Sequence, residues 1–171
     1  MHKNAIPNVF TIGNLACGIL SILMTFQNGN FQSACLFILI AGIMDRYDGR
    51  IARLLNVSSE IGKELDSLAD LVSFGVAPAL LVFSLYEFYS LGIAGYLVVL
   101  VFPIAGAYRL ARYNSTSFDG FFMGIPITLA GSIMTLFSLL TMNKTTHITL
   151  PVIFLLSLSY LMVSKLKIKK V

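Results

Sequence analysis

Asp45-Arg46-Tyr47-Asp48-Gly49-Arg50-Ile51-Ala52-Arg53 is a burst of charge in an otherwise overwhelmingly apolar chain, and Gly62, Asp66 and Asp70 continue it. Asp45 and Asp48 stand at i,i+3, Asp45 and Gly49 at i,i+4, and Ala52 lies four residues beyond Asp48. That spacing puts them on one stripe of a helix. Gly62, Asp66 and Asp70 succeed one another at i,i+4 and share a face of a second helix. A chain reversal between Arg53 and Gly62 sets the two helices antiparallel, with two carboxylates on each. Four close carboxylates repel one another unless a cation sits among them. Mg²⁺ and Mn²⁺ take hard oxygen ligands, so a divalent metal is the natural occupant. Charges that merely solvate helix ends would leave the accompanying small residues, placed where close approach is needed, without a purpose.

The composition around this stretch describes a membrane protein. The 171 residues are 57% hydrophobic and 12% charged, with a mean hydropathy of +0.84; soluble domains run at about 45–50% and about 25%. Six apolar segments are expected, at residues 10–26, 31–53, 61–86, 91–111, 123–142 and 148–164, each near the ~20 residues that a bilayer core demands. The expected fold is an all-α integral membrane bundle of six transmembrane helices, one domain covering residues 1–171. Asn28-Gly29-Asn30 turns the first helix into the second, and Pro78 and Pro103 are expected to disturb the helices that contain them. Residues 10–26 carry no small-residue cleavage site, so no cleavable leader is expected. Cys17 and Cys35 lie in apolar runs without a partner motif and read as small core residues.

Charge orients the bundle. With six spans, eleven of the twelve Lys and Arg residues fall on one side, leaving Lys144 alone on the other. The positive-inside rule then places both termini and the aspartate stretch at the cytoplasmic face. The basic tail Lys165 to Lys170 reads as an orientation anchor that also attracts anionic lipid. No nucleic-acid partner is expected.

Written as Asp-x2-Asp-Gly-x2-Ala-Arg-x8-Gly-x3-Asp-x3-Asp, the stretch resembles, at all eight defined positions, the signature of the CDP-alcohol phosphatidyltransferases, integral membrane enzymes of phospholipid synthesis. The resemblance implies two divalent cations, Mg²⁺ or Mn²⁺, held by Asp45, Asp48, Asp66 and Asp70 against the diphosphate of a CDP-linked lipid. It also implies that Asp70 doubles as general base. Gly49 and Ala52 would let the nucleotide lie close to the backbone, and Arg53 matches the family's arginine toward the nucleotide phosphates. Asp48 and Ser59 fall where related enzymes contact the CDP-lipid. Thr11 and Asn14, at i,i+3 near the cytoplasmic end of the first helix, are within reach of the diphosphate; helix–helix hydrogen bonding is an equal alternative.

A second run, Arg109-Leu110-Ala111-Arg112-Tyr113-Asn114 with Phe122-Met123-Gly124-Ile125-Pro126, resembles the branch of that family that uses serine. Tyr113 and Ile125 depart mildly from the branch's usual Phe and Leu. Arg109, Arg112 and Asn114 are then the expected acceptor site, since serine carries a carboxylate that a guanidinium recognises. The partners implied are CDP-diacylglycerol, L-serine and membrane lipids, with a homodimer expected from the family. Glycerol 3-phosphate or an inositol phosphate as acceptor is the alternative within the same chemistry. It calls for a denser basic cluster than two arginines and an asparagine. A cation transporter is a more distant reading, because all four aspartates lie at one membrane end and no matching charges continue across the bilayer.

Overall fold

In the computed structural model the described residues are 5–27, 29–54, 60–115, 121–164 and 167–169, with side chains described except at 5–7, 48, 52–54, 121–123 and 167–169. The apolar runs fold into helices α1 (Ala5–Phe26), α2 (Phe31–Leu54), α3 (Glu60–Leu85), α4 (Ile93–Ser115), α5 (Ile127–Thr141) and α6 (Thr149–Val163). The helical bundle read from the sequence is therefore observed. Among the described residues three helices are long and apolar enough to cross a bilayer, Asn8–Phe26, Glu60–Leu85 and Ile93–Ser115. Helices α5 and α6 have 15 residues each.

Polarity is distributed inside out. The buried stripe of α1 is Thr11, Asn14, Gly18, Ser21 and Thr25, spaced three or four apart, while Val9, Ile12, Ile19, Leu23 and Phe26 face outward. In a bilayer the surroundings are as apolar as leucine, so helices associate through small residues and hydrogen bonds rather than by hiding apolar surface. Helix α1 does both against α3: Ser73 Oγ donates to the Asn14 carbonyl at 2.9 Å, and a Cβ at Gly18 would stand 2.4 Å from Ser73 Oγ. Elsewhere the core is conventional, built on Phe74, Phe88, Phe102, Ile38, Leu81, Ile127 and Met134, all fully buried.

Helix α3 carries the most consequential irregularity. Residues Leu71–Val76 form a π-helical turn, and the Ala77 N–H donates to the Val72 carbonyl, five residues back. Pro78 follows at once; its ring excludes the carbonyl four residues earlier, and a wider turn accommodates that loss. The disturbance expected at Pro78 takes this form. At the far end of α3, Glu87 (φ 53°) and Gly92 (φ 60°) adopt left-handed backbone on either side of a short 3-10 turn, Phe88–Leu91, which reverses the chain into α4.

Three boundaries differ from the sequence reading by four residues or more, the first being α1, which starts at Ala5 rather than at residue 10. Helix α4 continues past residue 111 to Ser115. The fifth helix starts at Ile127 rather than at Met123, because Gly124 is left-handed (φ 73°) and Pro126 is extended (φ −58°, ψ 143°). The preceding Phe121–Met123 instead forms strand β1, antiparallel to strand β2, Lys167–Lys169, with Phe122 opposite Ile168. The Ile125 N–H donates to the Leu161 carbonyl at 3.2 Å, which fastens the entry of α5 to α6. This ribbon is an addition to the helical bundle that the sequence reading did not contain.

Candidate active site

Helical periodicity alone puts Asp66 and Asp70 on one stripe of α3, and the antiparallel approach of α2 brings Asp45 opposite them. One carboxylate oxygen from each of Asp45, Asp66 and Asp70 lies within 4.8 Å of the others. Asp45 and Asp70 are within hydrogen-bond reach of each other, a separation that two ionised carboxylates hold only with a proton or a cation between them. Asp70 is 8% exposed. Three hard anionic oxygen donors converging beside a buried Asp70 form a cluster that could hold a divalent metal. Asp48 belongs to α2 one turn after Asp45, but its side chain lies outside the described residues.

Two neutral donors reach Asp70 from other helices. Asn14 Nδ2 of α1 donates to Oδ1 at 3.1 Å, and Thr128 Oγ1 of α5 donates to Oδ2 at 3.5 Å. Asn14 is fully buried, and its Oδ1 has no hydrogen-bond partner among the described residues. A buried amide oxygen without a partner carries a desolvation cost of about 1–3 kcal/mol, and here it stands beside the carboxylates, where a ligand group would satisfy it. Thr11 is buried one turn before Asn14 on the same stripe. Gly49 follows Asp45 by one turn of α2. Of the remaining residues expected at the CDP-lipid, the Ala52 and Arg53 side chains and all of Ser59 lie outside the described residues.

The second run makes up the last turns of α4, beside α3 and α6. Arg109 is 8% exposed, packs over the Tyr113 ring at 6.0 Å, feels the negative charge of Asp70, and keeps an Nε without a hydrogen-bond partner among the described residues. Arg112 turns elsewhere: its Nη1 donates to the Val163 carbonyl at the end of α6, and its guanidinium lies 5.9 Å from the Tyr108 ring. Asn114 bridges to α3, donating to Ser67 Oγ at 3.0 Å and Glu64 Oε1 at 3.3 Å. The three residues expected together thus divide: Arg109 is buried within range of the Asp70 charge, Arg112 ties α4 to α6, and Asn114 ties α4 to α3.

Thr128 and Ser73 were not anticipated at the site. Ser73 carried a readable signal, a polar residue three beyond Asp70 in an apolar run. Thr128 carried none, since a threonine in an apolar helix ordinarily hydrogen-bonds its own preceding turn, as Thr135 does to Gly131.

Comparison with known proteins identifies the family. The family description "CDP-alcohol phosphatidyltransferase" matches residues 4–163. A CDP-diacylglycerol–serine O-phosphatidyltransferase of Bacillus subtilis is 44% identical over 165 residues, 96% of this chain and 89% of the relative. The Helicobacter pylori J99 protein of the same name is 43% identical over 137 residues, 78% of this chain and 57% of that relative. An archaetidylserine synthase of Methanothermobacter thermautotrophicus is 36% identical over 133 residues, 74% of this chain and 54% of its own. With an eight-position signature, a carboxylate cluster built from it and a family match over nearly the whole chain, the protein belongs to the CDP-alcohol phosphatidyltransferases.

Proposed function

We propose that this chain transfers the phosphatidyl group of CDP-diacylglycerol to the hydroxyl of L-serine, giving phosphatidylserine and CMP. The observation that carries this reading is the converging carboxylates of Asp45, Asp66 and Asp70, with a buried Arg109 within range of the Asp70 charge; the 44% identical Bacillus relative supports it. The serine oxygen attacks the phosphorus on the lipid side of the diphosphate, its bond to the CMP oxygen breaks, and CMP leaves. Asp70 takes the proton of the attacking hydroxyl, while Arg109 holds the serine carboxylate and Arg112 and Asn114 shape the wall behind it. Thr11, Asn14, Asp48, Gly49, Ala52, Arg53 and Ser59 seat the CDP-lipid. Two divalent cations, Mg²⁺ or Mn²⁺, held by Asp45, Asp48, Asp66 and Asp70, would neutralise the diphosphate and stabilise the attacking and leaving oxygens.

The same reading takes all six helices as membrane spans, with both termini and the carboxylate cluster at the cytoplasmic face of the cell membrane and a homodimer as the assembly. The ends of α4 and α6 meet through Arg112, and the start of α1, the first half of α3 and the start of α5 meet at Asp70. That arrangement suits an even number of crossings. The deciding experiment incubates the purified protein with CDP-diacylglycerol, Mn²⁺ and one acceptor at a time: serine, glycerol 3-phosphate or an inositol phosphate. CMP release with serine alone supports the proposal; release with a phosphorylated acceptor, or with none, refutes it.

A further inference from the structure

Resting on that reading, we infer that Thr128 is a positioning residue for the Asp70 carboxylate. Asp70 sits at the end of an α-helical stretch with a π-helical turn beginning at the next residue, so its own helix gives it an unusual neighbourhood. The two oxygens are held from two different helices: Asn14 of α1 on Oδ1 at 3.1 Å and Thr128 of α5 on Oδ2 at 3.5 Å. One donor alone leaves a carboxylate free to rotate about the bond to its β-carbon; one donor on each oxygen fixes that plane. The plane so fixed sits beside Asp45 and Asp66, whose carboxylate oxygens lie within 4.8 Å.

Thr128 is itself held firmly. The left-handed Gly124 has no room for a side chain, since a Cβ there would stand 2.2 Å from the Met162 carbonyl oxygen. The Ile125 N–H bonds to Leu161, Pro126 fixes its own φ at −58°, and Ile127 is fully buried against Gly106 and Gly75. The first turn of α5 therefore cannot slide, and the hydroxyl of Thr128 is presented at a set depth. Unlike Thr135 and Thr141, which donate to carbonyls four residues back, Thr128 spends its proton on another helix. The segment Gly124 to Pro126 thereby acts on the chemistry at a distance, by placing a donor on the base.

The test compares Thr128→Val, which keeps the shape and loses the hydroxyl, with Thr128→Ser, which keeps the hydroxyl. Both are purified as the full chain and assayed for CMP release with saturating serine and Mn²⁺. A wild-type protein that releases no CMP with serine counts against the proposed function, whereas the wild type remains the reference for Thr128. The expected result is a kcat about tenfold lower in Thr128→Val, a KM for CDP-diacylglycerol within about threefold, and near-complete recovery in Thr128→Ser. Mn²⁺ binding without substrate, followed by EPR, should weaken about tenfold in Thr128→Val and return in Thr128→Ser. If Thr128→Val fails to give a monodisperse protein, Thr128→Ala replaces it against the same serine variant. Unchanged kcat and Mn²⁺ affinity in the hydroxyl-free variant overturn the inference, as does a serine variant impaired equally.

Discussion

Replacing Gly131 by alanine asks whether α5 lies as close to the π turn of α3 as the structure has it. A Cβ at Gly131 would meet the Phe74 carbonyl oxygen at 2.4 Å, the Phe74 Cα at 2.8 Å and its Cβ at 2.7 Å. These are mostly backbone atoms inside a packed helix and cannot swing aside, so the helices must separate. Overpacking of this kind costs about 1–3 kcal/mol, offset by the roughly 1 kcal/mol that alanine gains over glycine in a helix. Gly42 of α2 supplies the internal control, because it faces the same Phe74, yet a Cβ there would find its nearest neighbour at 3.7 Å, an ordinary contact. Gly42→Ala should thus be neutral or stabilising by up to about 1 kcal/mol. Gly13→Ala should be nearly as mild: its nearest clash, 2.6 Å, is with the sulfur of the flexible Met44 side chain. Reversible unfolding in mixed micelles by SDS titration measures all three. The expected order places Gly131→Ala below Gly42→Ala by about 1–3 kcal/mol. A Gly131→Ala protein at least as stable as Gly42→Ala would refute the close packing of α5 on the π turn.

Three further outcomes are expected. Asp66→Asn should abolish turnover while leaving a folded, membrane-inserted protein, and EDTA should silence the parent protein reversibly; near-normal activity in the variant removes Asp66 from the metal set. Arg109→Ala should raise the serine KM about ten- to a hundredfold or more, from the loss of a charge-assisted hydrogen bond, with the KM for CDP-diacylglycerol little changed and lysine restoring only part. The same change at Arg112, which spends its guanidinium on Val163, should act more through stability than through the serine KM. Reporter fusions at Glu87 and Lys144 should read as external and at Ser58 and Thr116 as cytoplasmic; a cytoplasmic signal at Glu87 overturns the six-span topology.

The carboxylate cluster was legible because each of its contacts is either helical periodicity or one antiparallel reversal. Spacings of three and four residues fix which aspartates share a stripe, and Asp45 needs only the turn after Arg53 to meet Asp66 and Asp70. The interlocking of distant segments was not legible. Asn14 stood out as a polar residue in an apolar helix, but that its amide addresses Asp70, 56 residues on, is set by the crossing of α1 over α3. The run Phe121-Phe122-Met123 joins smoothly to the apolar sequence that follows, so periodicity assigns it to the helix. Its true partner is a lysine-rich strand more than forty residues later, and a pairing of that range leaves no local trace. Arg109, Arg112 and Asn114 looked like one group because they are near in sequence. At 100° per residue Asn114 points well away from the two arginines. Arg109 and Arg112, three apart, share a side of α4 and are divided by their partners, Arg112 reaching the Val163 carbonyl and Arg109 staying buried.

The π turn at Leu71–Val76 makes α3 two helices spliced out of phase. One residue beyond a regular α register rotates everything downstream by about 100°, so the stripe that carries Asp66 and Asp70 and the stripe that carries Ala77 and Leu81 into the core are independent choices. Deleting a single residue between positions 71 and 76 would remove the turn that accommodates Pro78 and rotate either the acidic half or the apolar half away from its partners. Hybrids that join the acidic half of one family member to the apolar half of another will keep both faces aligned only if both parents share the extra residue, or if the junction falls outside the turn.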